Sequence, residues 1–239
     1  MGMFSSFRKF SGLYLVLMLL FFSSTFLENQ LLHHITKPMF LALLMIFYQQ
    51  QLKGKHSTFS KLITLGLFFS WIGDIALMIN KTGIFFIVGL GSFLIAHLGY
   101  SIGFYRNIKS SLASFNYKKA ALFSVPFILI TGPFFMYIRP GIPAELFVPV
   151  LAYTTVITVM GMFSVWRYGH VNTTSFRWMF AGAVLFILSD CVLATNLFAI
   201  KPEPFSETFK FLAAANMTLY LSGQLLITKG AIDYKPEPS

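Results

Sequence analysis

Apolar residues along this chain come in unbroken blocks, not at the periods of 3.6 or 2 that mark one buried face of a soluble helix or strand. The blocks run at about 11–27, 38–52, 60–79, 83–105, 119–138, 144–166, 176–199 and 208–228, separated by short polar connections. Each is close to the ~20 residues a helix needs to cross a bilayer. The pattern predicts an all-α polytopic membrane protein, with eight transmembrane helices forming one domain over residues 1–239. The first block follows Arg8 and Lys9 and ends near Ser23, Ser24 and Thr25, as a secretory signal would. No A-x-A-like cleavage site accompanies it, so a retained first helix is expected.

Composition sharpens this picture. Hydrophobic residues make up 56% of the chain and charged ones 11%, against roughly 25% charged in soluble domains. The net charge of +10 lies in the connections rather than along one face, which is a topology signal and not a nucleic-acid footprint. Thirteen Lys and Arg fall at the termini and in the connections after the even-numbered spans, Lys53, Lys55, Lys61, Arg106 and Lys109 among them. Five, namely Lys37, Lys81, Arg139, Lys201 and Lys210, fall at the other end. Both termini are therefore expected to be cytoplasmic. The lone Cys191 excludes an internal disulfide and offers no zinc or iron–sulfur cluster. No cofactor or metal is implied. His33 and His34, expected in an outer loop beside Glu28, have no further clustered ligands. Trp166, Trp178 and Tyr168 read as interfacial anchors.

Candidate chemistry sits where hydrocarbon should not tolerate it. An ionised carboxylate near the bilayer centre costs at least ~2.5–3.5 kcal/mol, so a membrane Asp needs a partner, a proton or a wet pocket. Asp74 lies five residues before the end of its block, about 8 Å deep at ~1.5 Å per residue, and Asp190 lies somewhat deeper. Both fall in the outer half and can face one cavity, one protonated while the other stays ionised. A weak internal repeat accompanies them. The shift that lays Asp74 on Asp190 also lays Leu77 on Leu193 and Asn80 on Asn196, and Tyr100 falls near Tyr220 after a four-residue gap. Helices 3–4 and 7–8 thus read as copies from a duplicated four-helix unit. Helix 4 sets His97, Tyr100 and Ser101 on one face, and helix 8 sets Asn216, Tyr220 and Gln224 in a stripe. Interhelical hydrogen bonding accounts for that stripe about as well as a cavity lining does. Lys37 precedes Pro38, which suits a first helical turn.

This constellation resembles the YhhN-like family of integral membrane proteins, whose characterised members are lysoplasmalogenases. Lys37-Pro38 is similar to the family's KP at the start of helix 2, and Gly73-Asp74 with Leu77 to its GD segment. Phe86, Gly89, Leu90, Phe93, Ala96, His97 and Tyr100 reproduce its F-x-x-G-L-x-x-F-x-x-A-H-x-x-Y run. Gly182, Ala183, Phe186, Ser189, Asp190, Ala194 and Phe198 follow its helix-7 pattern, and Tyr220 with Gln224 its closing Y-x-x-x-Q. One departure is Gly223, where the resemblance leads one to expect Ala.

The resemblance implies hydrolysis of the vinyl ether bond of a lysoplasmalogen, giving a fatty aldehyde and glycerophosphoethanolamine or glycerophosphocholine. Acid cleavage of a vinyl ether passes through an oxocarbenium ion, and a pair of carboxylates in different protonation states suits that route. Asp74 and Asp190 are the expected acid/base pair. Lys37, His97, Tyr100, Asn196 and Tyr220 are the candidates for holding the lysophospholipid, whose chain would occupy an apolar cavity between helices. A proton- or ion-coupled transporter is the competing reading, since intramembrane carboxylates in duplicated bundles also serve transport; a lipid-binding scaffold is a third. The membrane would be the plasma or inner membrane of a bacterium, or the endoplasmic reticulum of a eukaryote.

Overall fold

The computed structural model describes residues 6–54, 56–80, 82–109, 116–204 and 206–235; Lys55 and Lys81 of the charge count lie outside the described residues. Every apolar block becomes a helix: α1 (Phe7–Phe26), α2 (Gln30–Leu52), α3 (Thr58–Ile79), α4 (Gly83–Lys109), α5 (Tyr117–Ile138), α6 (Phe147–Trp166), α7 (Thr173–Ala194) and α8 (Glu207–Ile232). All eight are long and apolar enough to cross a membrane, and the chain is an integral membrane protein. Polar side chains fix the starts by accepting the first free backbone N–H groups: Asn29 from Leu32, Asn116 from Lys119 and Ser206 from Phe209. Ser57 and Ser60 cap α3 reciprocally.

Two boundaries differ from the sequence reading. Helix α2 begins at Gln30, not near Pro38, because Asn29 caps it there. His33 and His34 are therefore helical, and Pro38 sits inside the helix, where its missing N–H leaves the His34 carbonyl without its usual donor. The seventh span is not uniform either. After Ala194 it continues as a π-helical turn, Thr195–Ile200, a local widening found mostly at functional sites. The α5–α6 connection rests on that turn at Gly141, where any Cβ would collide with the Phe198 carbonyl oxygen.

Packing follows the same order in each half of the chain. The α3/α4 and α7/α8 hairpins are the most intimate pairs; α2 joins α1 to α3 as α6 joins α5 to α7, and the halves meet where α4 packs on α6 and α8 on α2. A duplicated four-helix unit would leave this pattern, and an even helix number gives both copies one orientation. Small residues allow the close approach. A Cβ on Gly182 would lie 2.7 Å from the Gly223 carbonyl oxygen, and one on Gly223 would lie 2.9 Å from that of Gly182. Gly223, the departure from the family pattern, is thus half of a glycine–glycine contact between α7 and α8. At the end that carries both termini, Arg167 is fully buried, donates to Ser175 at 2.9 Å and lies over the Phe104 ring. Trp166 is likewise no free anchor, since its indole N–H reaches Ala120 and Ser124 of α5.

Candidate active site

A chamber of about 440 Å³ opens at the end of the bundle opposite the termini. Asp74 from α3 and Asp190 from α7 both line it, with Lys37 from α2, Asn196 from the π turn, and Asn216 and Tyr220 from α8. Each carboxylate reaches the chamber for a local reason. Asp74 sits one turn and a half from the end of α3, and Asp190 occupies the last full turn of α7 before the π segment. That widened turn carries Asn196 on the same wall.

The two carboxylates have different neighbours. The Tyr220 hydroxyl donates to Asp74 Oδ2 at 2.7 Å, and the Lys37 ammonium interacts electrostatically with the same carboxylate without reaching ion-pair distance among the described residues. Asp190 Oδ2 accepts from the Tyr153 hydroxyl at 2.6 Å and lies 3.3 Å from His97 Nε2. The same His97 nitrogen is 2.9 Å from the Tyr153 oxygen, and its Nδ1 is 3.3 Å from the Met160 sulfur. A thioether accepts but cannot donate. A hydrogen on Nε2 would serve the Asp190 and Tyr153 oxygens and one on Nδ1 the Met160 sulfur, so the His97 tautomer is coupled to the proton carried by the Asp190 cluster. Phe186, one turn before Asp190, is the partition between the clusters; its ring stands edge-on to His97 at 4.6 Å and to Tyr220 at 5.2 Å between centroids.

His97 and Tyr100 do not belong to the chamber wall. His97 is fully buried behind Asp190. Tyr100 donates to Gln224 at 2.6 Å, and Gln224 in turn donates to Ser70 at 3.0 Å, which makes a closed packing network among α3, α4 and α8. The helix-8 stripe thus divides, with Asn216 and Tyr220 on the chamber and Gln224 in the core. Ser101, on the same face of α4, is buried with its hydroxyl unpaired. His33, His34 and Glu28 line the chamber mouth, and Glu28 is bridged there by Lys210 at 2.9 Å. Sequence reasoning missed Tyr153. The signal was present in the repeat, because the shift that superposes Asp74 on Asp190 also superposes Lys37 on Tyr153.

A second, smaller cavity of about 70 Å³ lies among α4, α5, α6 and α7, with walls that are mostly Phe, Leu, Ile and Val. It shares Leu77, Phe93, Leu193 and Asp190 with the chamber. Asp190 is the carboxylate common to both cavities.

Residues 32–231 match the model of the YhhN family. The chain belongs to the YhhN family. The match begins in α2 and ends in α8, so both carboxylates and every side chain bonded to them fall inside the shared stretch, whereas α1 and Glu28 fall outside it. Among curated proteins the chain is similar to human lysoplasmalogenase TMEM86B, 30% identical over 174 residues. That alignment covers 73% of this chain and 65% of the human protein, so the chain spans just under two thirds of that relative's length. No solved structure matches.

Proposed function

We propose that this protein is a lysoplasmalogenase that cleaves the vinyl ether bond of a lysophospholipid by general acid/base catalysis. The observation that carries the reading is that Asp74 and Asp190 line one chamber, differently partnered, with Asp190 also bordering an apolar cavity. The family and the human relative support the same reaction class. A chamber lined by polar and charged side chains among apolar ones meets a small apolar cavity of about 70 Å³, which suits a glycerophospho end in the first and the carbons next to the vinyl ether in the second.

The surroundings of each carboxylate support a division of roles. The alkene carbon that must be protonated lies on the chain side of the ether oxygen, next to the apolar cavity that Asp190 borders. Asp190 also belongs to the cluster that shares protons with Tyr153 and His97. Asp190 is the acid: its proton goes to the β-carbon, and the ether oxygen stabilises the resulting oxocarbenium ion. Asp74, with the Lys37 cation beside it, is the carboxylate that faces this cation and takes a proton from the attacking water. The hemiacetal so formed collapses to a fatty aldehyde and the glycerophospho alcohol, consuming one water. Asp74 then releases its proton to water in the chamber, and Asp190 regains one from water by way of its His97 and Tyr153 contacts, which closes the cycle. Tyr220 positions Asp74, and Lys37 attracts the phosphate.

The test is aldehyde release from lysoplasmenylethanolamine by the purified protein in detergent, with no ion gradient. Cleavage that depends on both Asp74 and Asp190 is the expected result. Intact lipid after prolonged incubation with folded protein would overturn the reading.

A further inference from the structure

The chamber mouth holds a charge pattern that catalysis at Asp74 and Asp190 does not use. Lys210, near the start of α8, reaches across to Glu28 in the α1–α2 turn at 2.9 Å and to Glu207 at 3.4 Å. Glu28 and Lys210 both line the chamber. The Lys210 side chain is only 12% exposed although it stands at an opening, so it is held in place rather than waving in solvent. Glu28 is also conformationally unusual. It adopts left-handed backbone angles (φ 56°) just past the end of α1, a position that glycine or asparagine ordinarily takes. A glutamate there is kept against backbone preference, which points to its side chain.

Charge is ordered along the chamber. At the mouth Glu28 and Lys210 pair as opposite charges, and Glu207, exposed outside the chamber lining, is a second partner of the same ammonium. Further in, the Lys37 cation stands two helical turns inside α2, about as deep as Asp74, and both line the chamber with Asp190. A lysophospholipid with its glycerol at the carboxylates presents its phosphate on the side of Lys37 and its ammonium outermost, toward Glu28 at the mouth.

We propose, on the strength of the lysoplasmalogenase reading, that Glu28 and Lys210 form an ion-pair clasp that selects zwitterionic headgroups, the substrate ammonium replacing Lys210 at Glu28 while the phosphate sits by Lys37. Lys210 is the placeholder. When displaced it keeps a second carboxylate, Glu207, so opening the clasp strands no charge. A headgroup with a bare phosphate carries no ammonium to make the exchange and leaves the Glu28–Lys210 pair closed.

The test uses saturated alkyl-ether lysophospholipids, which lack the vinyl ether and are not cleaved. Equilibrium binding to the full chain in nanodiscs is compared for an ethanolamine headgroup and for a bare phosphate headgroup. Wild type is expected to bind the ethanolamine form about tenfold tighter, the size of one charge-assisted contact. Glu28→Gln should erase that preference while leaving affinity for the bare phosphate form unchanged or stronger, and Glu28→Asp, which keeps the charge, should retain most of it. Equal binding of both lipids by wild type, or an undiminished preference in Glu28→Gln, overturns the clasp. Cleavage of lysoplasmenylethanolamine is measured beside it. A headgroup preference without aldehyde release would sink the hydrolase and spare the clasp; aldehyde release with no effect of Glu28→Gln on binding would sink the clasp alone.

Discussion

Asp74 and Asp190 occupy equivalent places in the two halves of the chain, yet they live in different chemical surroundings. Each sits near the end of the third helix of its half, and each is met by a side chain from the fourth helix of the other half: Tyr220 for Asp74, His97 for Asp190. Each also has a neighbour on the second helix of its own half, Lys37 in one case and Tyr153 in the other. The backbone scheme is shared while the chemistry has diverged. A cation beside one carboxylate and a proton-sharing His–Tyr pair beside the other give one scaffold two unlike groups, which acid/base catalysis requires and two identical sites could not supply.

Replacing the carboxylates tests that division most severely. Asp74→Asn and Asp190→Asn should each lower kcat for aldehyde release by roughly 10²–10⁴-fold, the usual worth of a positioned acid or base; a variant with full activity removes its residue from the chemistry. The hydroxyl donors come next. Tyr153→Phe and Tyr220→Phe each leave a buried acceptor short of a partner, at a cost of ~1–3 kcal/mol, or about tenfold in rate.

Lys37→Met sharpens the contrast from the other side. It should raise KM about tenfold for lipids bearing a phosphate, and it should also lower kcat if the cation serves Asp74 in the transition state. An unchanged KM would detach Lys37 from the phosphate. The smallest effect expected on chemistry is that of Gly223→Ala. Its new Cβ would lie 2.9 Å from the Gly182 carbonyl oxygen, so α7 and α8 must part slightly. Thermal stability should fall by ~1–3 kcal/mol with activity altered only a few-fold; a large activity loss would mean that the position of Tyr220, one turn earlier, is set by this glycine pair.

How much of this was legible beforehand differs from residue to residue. The carboxylates stood out because hydrocarbon makes any ionisable group costly, so their mere presence in an apolar block is informative. Tyr153 did not, since a tyrosine in an apolar span is unremarkable and becomes a ligand of Asp190 only when α4, α6 and α7 converge. His97 and Tyr100 share a helical face, yet α4 is so rotated that one backs Asp190 and the other bonds Gln224 in the core. The start of α2 was misplaced because Gln30, His33 and His34 look like loop residues; the Asn29 cap and the chamber that receives their side chains make them helical.

The sequence alone determined the spans, their number and the presence of two acidic groups among them, because a bilayer fixes how long an apolar block must be and how much a buried charge costs. Tertiary structure decided which side chains those acids meet. The Tyr220–Asp74 contact joins residues 146 positions apart. Such pairings depend on the rotation of each helix about its axis, and a helix that is apolar all round leaves that rotation open until glycine contacts and buried hydrogen bonds fix it.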